Sequence, residues 1–142
     1  MSNEVLSTQT QDNESIVLDV RDLSVRFEMD TGNVQAVNGA NFNVRRGETV
    51  CVVGETGAGK SVTAFSVMRL LGAGGVSRRA RLEGDIVFRP RDDKEYHILS
   101  LDTHEMLAIR GRHISMIYQE PMNSLNPVYT CGDQIAEVLV HH

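Results

Sequence analysis

The octapeptide Gly54-Glu55-Thr56-Gly57-Ala58-Gly59-Lys60-Ser61 constrains this chain more than any other feature, because it fits the pattern G-x-x-x-x-G-K-[ST]. It lies between an apolar run, Thr49-Val50-Cys51-Val52-Val53, and a segment in which Ala64, Val67, Met68 and Leu71 recur at helical spacing. The run reads as a strand and the segment as the stripe of a half-buried helix. A strand, a glycine turn and a helix start in this order form a phosphate-binding loop in an α/β fold. Successive main-chain N–H groups at a helix N-terminus suit a triphosphate, and Gly57 and Gly59 leave room for them. Lys60 supplies a mobile positive charge for the β- and γ-phosphate oxygens, and the Ser61 hydroxyl suits one position on Mg²⁺. Thr56 and Ala58 need contribute only main chain.

Around this loop the chain is 142 residues long and 41% hydrophobic, enough for one core of ordinary size. Residues 1–14, rich in Ser, Asn, Gln and Thr, read as a disordered leader. Alternation then begins at Leu18 and Val20, continues through Leu23, Val25 and Phe27, and resumes at Phe42 and Val44, the pattern of half-buried antiparallel strands. Thr31-Gly32-Asn33 and Arg46-Gly47 supply turns. A small antiparallel sheet therefore precedes the phosphate loop, unlike a simple kinase or switch GTPase, where the loop follows the first strand. Downstream, residues 82–89 read as a strand, 90–95 as a charged excursion, and Met106 and Ile109 as a short helix ending at Gly111. Residues 114–118 read as a buried strand, and Ile135, Val138 and Leu139 as a terminal helix.

Charge and cysteine usage exclude other classes. The net charge is −5, and residues 1–30 hold seven acids against two arginines, which argues against nucleic acid as a partner. Arg78, Arg79 and Arg81 read as a solvated loop. Cys51 and Cys131 give neither a metal spacing nor a disulfide framework, and are expected as small core residues in a reducing compartment. No apolar run approaches the ~18 residues that cross a bilayer. The polar first residues lack the regions of a signal peptide, so an intracellular, soluble chain is expected.

The run Arg112-His113-Ile114-Ser115-Met116-Ile117-Tyr118-Gln119-Glu120-Pro121-Met122-Asn123-Ser124-Leu125-Asn126-Pro127, with residues 54–62, resembles the ATP-binding subunit of ATP-binding cassette (ABC) transporters. More narrowly, it is similar to the group that drives uptake of oligopeptides, dipeptides, nickel and glutathione. The resemblance spans residues 16–142. It implies a P-loop NTPase core of the ABC ATPase type with an N-terminal antiparallel β-subdomain, residues 15–142 being the N-terminal portion of the domain. Its implied cofactors are ATP and Mg²⁺, with the phosphates on Gly54, Glu55, Thr56, Gly57, Ala58, Gly59, Lys60, Ser61 and Val62.

By the same resemblance, Phe27 stacks on the adenine, a ring face being suited to a purine. Gln119 is the Q-loop glutamine, a neutral ligand to Mg²⁺ alongside Ser61. Together with Glu120, Pro121, Met122, Asn123, Ser124 and Leu125 it couples nucleotide state to a membrane subunit. Pro121 and Pro127 would stiffen that loop. The implied partners are integral membrane permease subunits and a second nucleotide-binding domain, at the inner face of a bacterial cell membrane.

The sequence departs from the family after Gln119, where no signature loop of the L-S-G-G-Q kind, no apolar strand ending in Asp-Glu and no switch histidine follow. The chain therefore reads as truncated before the signature and Walker B segments, with no complete catalytic set. Asp19 and Asp102 end apolar runs but read as solvated turn or strand-end residues, and His141 and His142 as chance or the cut end of a longer sequence. Two alternatives stay open: a non-catalytic nucleotide-binding fragment, and another P-loop enzyme such as a small-molecule kinase. A GTPase is disfavoured, since no N-K-x-D surrounds Lys60 or Lys94.

Overall fold

The computed structural model describes residues 16–72, 79–91, 94–120 and 125–141. Strands β1 (Ile16–Met29) and β2 (Gly32–Arg45) form a long hairpin. On the other side of β1 lies β3 (Ala80–Phe88), followed by the two-residue β4 (Tyr96–His97). The sheet order is β2-β1-β3-β4 and every pairing is antiparallel. Three helices complete the described structure: α1 (Lys60–Val67), α2 (Thr103–Ile109) and α3 (Cys131–His141).

The apolar phase of β1 moves from even positions at Leu18 and Val20 to odd ones at Leu23, Val25 and Phe27. A strict period of two would turn one set to solvent. The structure resolves this with irregular register between Val20 and Leu23, a bulge that keeps Val20, Leu23 and Val25 all buried. Asp22 takes a left-handed φ of 48° there. Its N–H donates to Asn41 Oδ1 at 2.9 Å, and Asn41 Nδ2 donates back to Asp22 Oδ1 at 2.9 Å. Gly84 of β3 faces the bulge so closely that a Cβ would sit 2.6 Å from the carbonyl oxygens of Arg21 and Asp22.

One buried cluster joins sheet and helices: Val20, Leu23, Val25, Val37, Ile86 and Phe88 from the strands, Val67 from α1, Met106 and Ile109 from α2, and Leu71 and Ile98 from connections. Each fully buried side chain of this size contributes about 1.5–3 kcal/mol. Arg79 is exposed outside the strands as expected and pairs with Asp30 at 3.4 Å, whereas Arg81 lies within β3 instead of a loop, exposed and paired with Glu28 of β1 at 2.8 Å. Arg78 lies outside the described residues, as does the leader.

Several strand-level expectations differ from the structure. Residues 49–53 carry no regular secondary structure, and Val53 is 84% exposed. Of residues 114–118, only Ile114 makes a bridge, to Arg110, and Ile117 is 91% exposed. Both runs are apolar enough for a buried strand, but a strand also needs a ladder partner. Neither pairs with any of β1–β4. Cys51 belongs to the first run and Cys131 starts α3, so both are exposed where core positions were expected. The helix expected around Ile135, Val138 and Leu139 forms, with those three side chains exposed.

Candidate functional site

The loop expected from sequence is built on glycine backbone. Gly57 and Gly59 have φ of 86° and 80°, in the left-handed region that side chains disfavour. The Ala58 N–H donates to the Glu55 carbonyl at 3.1 Å, closing the turn. Gly59 then packs against β2, where an added Cβ would lie 2.4 Å from the Ala36 carbonyl oxygen and 3.1 Å from Val37 Cγ2. Its own carbonyl accepts from the Thr63 N–H at 2.8 Å and from Thr63 Oγ1 at 3.0 Å. The hairpin thus fixes where the loop ends and α1 begins.

Gly59 caps α1 without a side-chain hydrogen bond, and no acidic residue occupies the first turn. The first N–H groups of a helix have no intrahelical acceptor, so this terminus offers donors and a positive dipole end to an anion. Lys60 Nζ folds over the loop and donates to the carbonyls of Gly54 at 2.7 Å and Glu55 at 2.6 Å. An ammonium has three protons. One therefore remains for an oxygen lying in the loop.

Ser61 is exposed one residue further and lines a groove of about 610 Å³ with Ala64, Phe65, Met116, Tyr118, Gln119 and Glu120. The structure thus brings together Ser61 and Gln119, the two residues expected to share a metal ion. Among the described residues no three His, Cys, Asp or Glu side chains cluster in a metal-holding arrangement. A hydroxyl, an amide oxygen and phosphate oxygens suit magnesium, which takes few protein ligands.

Two tethers hold residues 110–120 to α1. The Phe65 and Tyr118 rings lie 6.2 Å apart between centroids at 38°. Arg110, just beyond α2, donates from Nε to the Met68 carbonyl at 2.9 Å and from Nη2 to the Arg69 carbonyl at 2.7 Å. Desolvation, followed by the nearby Arg69 charge, lowers the Arg110 pKa from its ordinary value, and Tyr118 acts in the opposite direction. Asp102 starts α2 through a capping box, accepting from the Glu105 N–H at 2.8 Å while its own N–H donates to Glu105 Oε2 at 2.8 Å. It is not simply a solvated turn residue, and the spacing Asp102-Thr103-His104-Glu105 carries that signal. No comparable local pattern marks Arg110, Thr63 or the Phe65–Tyr118 contact.

Phe27 lies on β1 opposite Val34 of β2 and Ala80 of β3, half-buried against the core. Two residues earlier, Val25 pairs with Val37, the residue that touches Gly59, so the same hairpin carries Phe27 and the loop contact. Asp19 pairs with Arg21 at 2.5 Å. Glu120 and Leu125 are exposed, whereas Pro121, Met122, Asn123 and Ser124 lie outside the described residues, as does His142. Among the described residues no helix is long and apolar enough to cross a membrane.

Residues 37–141, from β2 through the phosphate loop to α3, match the family described as ABC transporter. The chain belongs to this family. Its fold is the P-loop core of an ABC ATPase carrying an antiparallel β-subdomain, and the kinase reading is set aside. Among ABC transporter proteins it is 46% identical over 132 residues to the oligopeptide transport ATP-binding protein OppD of Escherichia coli, covering 93% of this chain and 36% of that protein. It is 45% identical over 130 residues to the glutathione import ATP-binding protein GsiA of Pectobacterium atrosepticum, covering 91% of this chain and 20% of that one. It is 42% identical over 127 residues to OppD of Bacillus subtilis, covering 89% and 33% respectively. The chain spans less than two fifths of the length of each of these relatives.

Proposed function

We propose that this chain binds ATP with Mg²⁺ as part of the ATPase subunit that powers an ABC importer for peptides or a related solute. The single observation that carries the reading is the start of α1. There a helix terminus without a side-chain cap, two left-handed glycines and the Lys60 ammonium converge on one loop. In this reading the triphosphate rests on residues 54–62, and Lys60 contacts the outer phosphates. Ser61 and Gln119 hold the magnesium ion, which neutralises phosphate charge. Phe27 stacks on the adenine. Phosphoryl transfer depends chiefly on positioning and charge stabilisation, and these residues supply positioning.

Gln119, Glu120, Pro121, Met122, Asn123, Ser124 and Leu125 form the coupling surface for integral membrane permease subunits in this proposal. A second nucleotide-binding domain completes the assembly at the cytoplasmic face of the membrane. The relatives whose names speak of oligopeptide transport and glutathione import support the choice of solute class. The test is calorimetric titration of the 142-residue chain with MgATP beside a Lys60→Ala variant. Removing a charge-assisted contact should weaken binding by about 1.5–3 kcal/mol, or ~10- to 150-fold. Equal affinity of the two proteins refutes the reading. Turnover by the chain alone is expected to match the Lys60→Ala control.

A further inference from the structure

Helix α1 has functional groups at both ends. Its N-terminus presents Lys60 and Ser61, and its C-terminus ends at Met68 and Arg69, where main-chain carbonyls run out of intrahelical partners. Arg69 has a left-handed φ of 49°, a conformation disfavoured for any residue with a Cβ. Its carbonyl nevertheless receives Arg110 Nη2 at 2.7 Å, while Met68 receives Nε at 2.9 Å. The planar guanidinium thus spans two successive carbonyls at a negative helix end.

Arg110 also begins the segment that leads to Gln119. Its backbone bridges to Ile114, and the Gly111 N–H donates to the Ile114 carbonyl at 2.9 Å. Further along, Tyr118 lies against Phe65, in the middle of α1. The chain from 110 to 118 is therefore clamped to α1 at both ends. Gln119 is the next residue.

We propose that Arg110 is a positioning residue for magnesium-dependent nucleotide binding, holding Gln119 at the distance from Ser61 that lets both reach one ion. This rests on the nucleotide-binding reading above. Arg110 is not among the residues that line the Ser61–Gln119 groove, and its side-chain hydrogen bonds go to Met68 and Arg69, so it acts through the segment it anchors. Arg110→Lys keeps the charge but not the fork.

The test is calorimetry of the 142-residue chain with ATP, once with Mg²⁺ and once with a chelator. The unsubstituted protein, Arg110→Gln, Arg110→Lys and Gln119→Ala are compared, together with the double variant Arg110→Gln/Gln119→Ala. Chelator-treated affinity should stay within about twofold, because the phosphate loop is untouched. The gain conferred by Mg²⁺ should fall about tenfold in Arg110→Gln, the scale of one lost hydrogen bond to a charged group. It should fall no further in the double variant, since both changes remove the same contact.

A magnesium gain within twofold of the unsubstituted value overturns the proposal. So does a parallel loss with and without metal, which would mark a purely structural residue, or additive losses in the double variant. If Arg110→Gln does not fold, Arg110→Lys is judged by the same criteria. ATP binding by the unsubstituted chain with no magnesium gain refutes this proposal alone. No ATP binding at all refutes the function beneath it.

Discussion

Two glycines in the phosphate loop share nearly the same backbone conformation but have different surroundings, so alanine at each separates strain from contact. Gly57 has φ of 86° with nothing within 4 Å of an added Cβ, whereas Gly59 has φ of 80° and a Cβ would sit 2.4 Å from the Ala36 carbonyl oxygen. Left-handed backbone costs alanine about 1–2 kcal/mol at either position. Only Gly59→Ala also meets β2. Ala36 is the unpaired extra residue at a register shift of the β1–β2 ladder, between Val37, which pairs with Val25, and Gln35, which pairs with Arg26, so its carbonyl moves only by shifting the paired residues on either side. Overpacking of this kind costs about 1–3 kcal/mol more.

That cost falls on stability if the loop keeps its place, and on ATP affinity if the loop moves aside. Urea unfolding measures the first and calorimetry with MgATP the second. Summed over both assays, Gly59→Ala should lose about 1–3 kcal/mol more than Gly57→Ala. Summed losses within about 0.5 kcal/mol of each other, the usual additivity error, would refute the claim that β2 sets the loop's position.

Asp102→Ala removes the reciprocal capping of α2 and should lower unfolding free energy by about 0.5–2 kcal/mol, read as a shift in urea midpoint at constant slope. The Glu28 carboxylate accepts a hydrogen bond from Arg81, which lowers its pKa from the ordinary value. A lowered folded-state pKa stabilises above the unfolded-state value, and the effect is lost as pH falls through the folded one. NMR titration should therefore place Glu28 lower in the unsubstituted chain than in Arg81→Gln. Any stability advantage over that variant should vanish in acid.

The readable parts of this sequence were those whose signals are local. The start of α1 follows from the glycine and lysine spacing, and β1 and β2 from their alternation, whereas the bulge at Arg21 and Asp22 emerged only from the pairing of the strands. Residues 49–53 and 114–118 show the limit. Apolar composition records that a segment avoids water, but the hydrogen-bond ladder that makes a strand depends on a distant neighbour. Cys51 was misread for the same reason. The meeting of Ser61 and Gln119 in one groove was legible only as an implication of family resemblance, because 58 positions separate them and no periodicity links them. Arg110 left no trace at all, since its two acceptors are main-chain carbonyls that any residue could present.

Lys60 reaches back to two oxygens of its own turn, so its ammonium is held in place before any ligand arrives. Arrival of an anion then adds a third partner to an ammonium already oriented, and the lysine's share in affinity comes from its one remaining proton. The same clasp holds residues 54–60 in a ring beforehand. Ordering the ring thus belongs to folding, and a newcomer finds its donors already aimed.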